Sequence, residues 1–234
     1  MKFNVRKIAG IFLAATLLFS IAYALTNIFA LSDTEVSESG KQKSDYLLIL
    51  IQCILGLVVM ALPSFVEKKL SFTLPNKMYL LFFLFLYCAI FLGEVRGFYY
   101  IVPHWDTVLH CFSGGMLGVL GYLIVAFFNE NQRLHVNLSP LFVALFAFSF
   151  AVALGAIWEI YEFAGDGLFG LNMQKFATED GVLLIGRDAV SDTMKDIIID
   201  TLGALITVII GFLDNIGIAI KFRKKVSNTI HKVK

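Results

Sequence analysis

Seven ionisable side chains carry most of the chemical potential in an otherwise apolar chain: Asp106 and His110, Glu159 and Glu162, and Asp192, Asp196 and Asp200. All lie near the ends of long apolar runs, where a charge placed at a membrane helix centre costs roughly 2.5–3.5 kcal/mol. On a helix, Asp106 and His110 share a face at a spacing of four, and so do Glu159, Glu162 and Asp166 at spacings of three and four. Asp188, Asp192, Asp196 and Asp200 step by four along one slowly drifting stripe. At 1.5 Å per residue, Asp200 lies about 12 Å along the axis from Asp192, inside the apolar zone. Nearby positive charges are few: Arg96, Arg187, Lys195 and His110 when protonated. Crowded carboxylates in poorly screened surroundings cannot all stay ionised, so some bind protons or a cation sits among them. Oxygen donors with one imidazole suit a divalent ion such as Mg²⁺, Mn²⁺, Ca²⁺ or Zn²⁺. The candidate ligands are Asp106, His110, Glu159, Glu162, Asp192 and Asp196. His110, Glu159 and Asp196 are the candidates for catalysis, and Arg187 and Lys195 the candidates for holding a phosphate. The competing reading is a structural polar network in which Arg187, Lys195 and the Tyr99, Tyr100 and Tyr161 hydroxyls cap the carboxylates.

The elements that must position these groups are membrane helices. Of 234 residues, 58% are hydrophobic and 23 are Phe; mean hydropathy is +0.79. A soluble domain of that composition would expose too much apolar surface. The sequence predicts an all-α polytopic bundle, a single integral membrane domain over residues 1–234. Six transmembrane helices are expected near Ile8–Leu31, Tyr46–Val66, Met78–Gly93, Trp105–Phe128, Leu141–Phe163 and Thr193–Ile220. The third is short and is expected to extend through Glu94 towards Tyr100. The first resembles a signal peptide in its basic start and Ala22-Tyr23-Ala24, but its apolar stretch is longer than a signal core, so a retained span is expected. Placing the N-terminus inside puts 13 Lys and Arg on inner segments and 6 on outer ones, among them Lys41, Arg96, Arg187 and Lys195. Both termini are therefore expected to be cytoplasmic, and the acids to gather on the outer side. The basic tail Lys221–Lys234 reads as a topology anchor.

Smaller features follow the same frame. Gly114, Gly115, Gly118 and Gly121 predict close helix contact along the fourth span, and Trp105, Trp158, Tyr99, Tyr100 and Tyr161 an aromatic belt. Cys53, Cys88 and Cys111 read as apolar packing residues. His104 is expected to be exposed, and His135 and His231 to lie on the inner side. The connection Gly165–Ser191 is rich in glycine and apolar residues, and reads equally as a lid over the site or as a passive interfacial loop.

Three blocks, His104-Trp105-Asp106-Thr107-Val108-Leu109-His110-Cys111-Phe112, Trp158-Glu159-Ile160-Tyr161-Glu162-Phe163, and Gly186 followed by Asp192-Thr193-Met194-Lys195-Asp196-Ile197, resemble the signature of the YjdF-like membrane proteins. The resemblance runs from about Trp105 to Gly203. It implies a multi-pass membrane fold whose polar positions map onto Asp106, His110, Glu159, Glu162, Asp192 and Asp196, and it brings no reaction with it. The chain departs from that pattern at Phe163 and Ser191. A looser similarity to VanZ-like proteins rests on the Asp-x-x-x-His pair, a later Glu and the Asp before Gly203.

A net charge of +1 gives no reason to expect nucleic acid. The expected partner is a membrane lipid or a lipid-linked small molecule. The site predicts a metal-dependent enzyme acting on lipid or lipid-linked phosphate. The alternatives are an ion- or proton-coupled transporter and a non-enzymatic protein that senses or stabilises the envelope.

Overall fold

The computed structural model describes residues 5–32, 35–37, 39–70, 74–130, 138–178 and 182–233. Side chains of residues 215–233 lie outside that description, as do Arg133 and His135, so the expectations for the basic tail, His135 and His231 fall beyond it.

The described residues form seven α-helices: α1 Val5–Ala30, α2 Lys43–Leu70, α3 Asn76–Leu86, α4 Phe98–Ile101, α5 Trp105–Glu130, α6 Pro140–Phe169 and α7 Ser191–Val233. α3 continues as a π-helical stretch, Tyr87–Val95, which ends where Gly97 takes a φ of +72°. Counting that continuation, six segments are long and apolar enough to cross a membrane: Val5–Ala30, Lys43–Lys69, Asn76–Val95, Trp105–Phe128, Pro140–Phe169 and Asp188–Asp214. The apolar side chains left exposed along them, such as Phe19 and Ile206, have no water-facing rationale and match a lipid surround.

The fifth span runs six residues beyond its expected end. The sequence places Gly165 and Gly167 in the connection, yet both are helical. The stop comes at Gly170, whose φ of +64° and N–H to the Asp166 carbonyl (3.0 Å) make the left-handed cap that glycine accepts most readily. The following connection is correspondingly shorter. It contains a small antiparallel pairing, with Ala177 bridged to Leu183 and the Leu184 N–H donating to the Phe176 carbonyl at 2.9 Å.

The chain divides into two compact units, residues 1–109 with 163–173, and residues 110–162 with 174–234. In the first, α1 packs on α2, and Arg6 donates to Glu67 (3.0 Å) and Ser64 (3.2 Å) while its guanidinium lies 3.3 Å from the Tyr79 ring centroid. Glu67 also accepts from the Tyr79 hydroxyl (2.8 Å) and the Leu74 N–H (2.7 Å), so the charge that ends α2 is fully partnered. Cys53 is buried there, as packing residues are. In the second unit the apolar core is Ala144, Ala147 and Val208, flanked by Tyr122, Phe148 and Phe212. Cys111 of this unit is exposed, which corrects its reading as a packing residue: its backbone, not its thiol, faces the neighbouring helix.

Candidate functional site

The site is built where the first turns of α5 within the second unit, the last turns of α6 and the first turns of α7 converge. Glycine decides how close they come. A Cβ on Gly114 of α5 would strike the Asp200 carbonyl of α7, and one on Gly203 of α7 would strike the Cys111 carbonyl of α5. On α6, a Cβ at Gly155 would sit 2.8 Å from Asp200 Oδ2. Further along α5, Gly115 faces the Thr207 hydroxyl and Gly121 faces the Ala147 backbone. The small-residue stripe therefore lets two helices approach α5 to backbone contact.

This crossing places His110 and two acids together. His110 Nδ1 is 3.1 Å from Asp200 Oδ2, and Nε2 is 3.8 Å from Asp196 Oδ2. The Ser113 hydroxyl, one turn along α5, donates to Asp200 Oδ1 at 2.7 Å and also lies 2.9 Å from the His110 carbonyl. All three central groups are buried: His110 is 8% exposed, Asp196 4% and Asp200 3%. The 3.8 Å gap is too long for a hydrogen bond.

The remaining sequence candidates take distinct positions. Asp106 sits in the first turn of α5, where a negative charge complements the helix dipole, and its carboxylate comes within 4.8 Å of a His110 ring nitrogen on the same helix. Glu159 is 3% exposed and one turn from Gly155, on the face of α6 that meets Asp200. Glu162 accepts a hydrogen bond from the Trp158 indole at 2.9 Å, so this residue is partly engaged on its own helix. Asp192 is half-buried in the first turn of α7, which a single 3₁₀ turn, Asp188–Val190, leads into. Arg187 and Lys195 are exposed. Lys195 is about 100° around α7 from Asp196 and stays out of the contacts around His110.

Sequence reasoning passed over Ser113 and Gly155, and it noted Asp200 without ranking it as a site residue. A signal was available for two of them. Ser113 follows His110 by three residues, and Asp200 continues the four-residue stripe from Asp196. Gly155 carries no chemical signal and acquires its role only from what it faces.

A family model described as Predicted membrane protein (DUF2238) matches residues 10–215, from within α1 to just past the end of the last span at Asp214. No curated protein and no solved structure matches the chain.

Proposed function

The chain belongs to this family of predicted membrane proteins, and from that premise we propose that it is a membrane-embedded, metal-assisted enzyme acting on lipid or lipid-linked phosphate. The observation that carries the reading is the spacing of His110 Nε2 and Asp196 Oδ2, 3.8 Å in a buried setting. Two donors about 2.4 Å from one ion, at angles of 90–110°, stand roughly 3.4–3.9 Å apart, the span of a Ca²⁺-sized ion, but Ca²⁺ takes oxygen ligands and one donor here is an imidazole nitrogen. With bonds of about 2.1 Å the donors close to roughly 3.0–3.4 Å, so Zn²⁺ asks for a movement of about 0.4 Å and octahedral Mg²⁺ for about 0.8 Å. Asp192, from the preceding turn of α7, would extend the oxygen set.

Held by His110 and Asp196, such an ion would supply Lewis acidity, lowering the pKa of a bound water and polarising a phosphoryl oxygen. Glu159 would be the group to accept a proton beside the ion, and Arg187 and Lys195 would hold the phosphate at the exposed rim. The excess of Lys and Arg on the segments assigned inside supports an outward-facing site.

Elemental analysis of the purified protein tests the core of this reading. We expect about one divalent ion per chain in wild type and background levels in His110→Ala and Asp196→Ala. Wild-type protein without stoichiometric metal, or variants that keep it, would remove the proposal.

Orientation has its own test. Asp188→Cys, exposed at the start of the last span, is expected to react with a membrane-impermeant maleimide in intact cells once Cys111 is replaced by Ser. Labelling that appears only after lysis places the site inside.

A further inference from the structure

We propose that Asp200, tied down by Ser113 and given room by Gly155, is the positioning residue that fixes the His110 tautomer and presents its Nε2 as a ligand; the second half of this statement rests on the cation reading above. Asp200 is 3% exposed. An acid this deep keeps its place only when its oxygens are hydrogen-bonded. Both are: Oδ1 accepts from the Ser113 hydroxyl at 2.7 Å, and Oδ2 faces His110 Nδ1 at 3.1 Å.

That second contact has a consequence for the ring. With Asp200 ionised its oxygens only accept, so Nδ1 carries the hydrogen; a neutral imidazole has one, and the lone pair then falls on Nε2. Nε2 is the nitrogen that faces Asp196. Asp196 and Asp200, one turn apart on α7, thereby divide the work: the first shares the ligand position and the second orients the ring. Gly155 completes the device from α6, because a Cβ there would come within 2.8 Å of Oδ2 and press on the oxygen that holds the imidazole. Each of the three helices supplies one part. Outer partners of this kind, when removed, typically lower metal affinity 10–100-fold.

The test reads the tautomer directly, without metal. Protein labelled with ¹⁵N in its 4 histidines is placed in nanodiscs, and His110 is assigned by the signal lost in His110→Gln. Ring ¹⁵N–¹H correlations are then followed to the alkaline end of a pH series. We expect the Nδ1–H form in wild type and its loss as the dominant form in Asp200→Ala, with Zn²⁺ affinity down 10–100-fold. Ser113→Ala, which leaves the Nδ1 contact in place, is expected to keep the tautomer. An Nε2–H ring in wild type overturns the proposal, and so does a ring that stays doubly protonated throughout, since neither offers a lone pair at Nε2. An Asp200→Ala protein that keeps the Nδ1–H form also overturns it. Should no metal bind while the tautomer behaves as stated, the cation reading fails and the positioning role of Asp200 stands.

Discussion

Phosphate release from vesicles carrying a polyprenyl or diacylglycerol phosphate is expected to fall by about 10²–10⁴-fold in Glu159→Gln, the usual cost of losing a positioned proton acceptor. Bound metal is expected to remain near the wild-type level in the same preparation. The two readouts separate because Glu159 lies on α6, while the 3.8 Å approach of His110 Nε2 to Asp196 joins α5 to α7. Glutamine keeps the size of the buried side chain and removes its charge and its ability to take a proton. Asp196→Asn is expected to behave differently and to lose metal together with turnover, because it weakens one side of the 3.8 Å gap. A Glu159→Gln protein with full metal and full turnover would exclude Glu159 as the proton acceptor. Wild-type protein that holds metal but releases no phosphate from either lipid would reduce the site to a cation-binding centre without this reaction.

The other large effect is mechanical. Gly114→Ala and Gly203→Ala are each expected to lower the midpoint of thermal unfolding in detergent by about 2–12 °C. That follows from an overpacking cost of about 1–3 kcal/mol and a slope of about 2–4 °C per kcal/mol for a chain of this size. In both cases the added methyl meets a backbone carbonyl, of Asp200 and Cys111 respectively, which no rotamer change can move. Only separating α5 from α7 relieves the clash. The same separation relieves both, so the double variant is expected to cost less than the two singles combined. Gly167→Ala supplies the control: nothing lies within 4 Å of the added Cβ on α6, so its midpoint is expected to hold or rise, as when glycine leaves a helix interior. Single variants at Gly114 and Gly203 that melt with wild type would show that the crossing is looser than described.

Much of the fold was legible because the signals are local. An apolar run of about 20 residues is a span wherever its neighbours lie, since an unpaired backbone cannot sit in hydrocarbon. The fourth expected span coincides with the membrane-crossing segment Trp105–Phe128, inside a helix that runs on to Glu130. The end of α6 was misplaced because a glycine inside a helix and a glycine that caps one look alike in sequence; the positive φ at Gly170 distinguishes them. The acids were legible as a group, since their spacings of three and four predict shared faces. Their separate roles were not. Asp196 and Asp200 are the same residue type one turn apart, and only contacts with α5 and α6 tell them apart.

By itself the sequence determined the membrane class, the six helices and the faces on which His110, Glu159 and the Asp192–Asp200 stripe must lie, because periodicity and apolar length act along one segment at a time. The tertiary structure alone decided that Asp200 faces Nδ1 and Asp196 faces Nε2. That choice depends on how closely three helices pack, and the packing is set by what each glycine at the crossing finds opposite it on another segment.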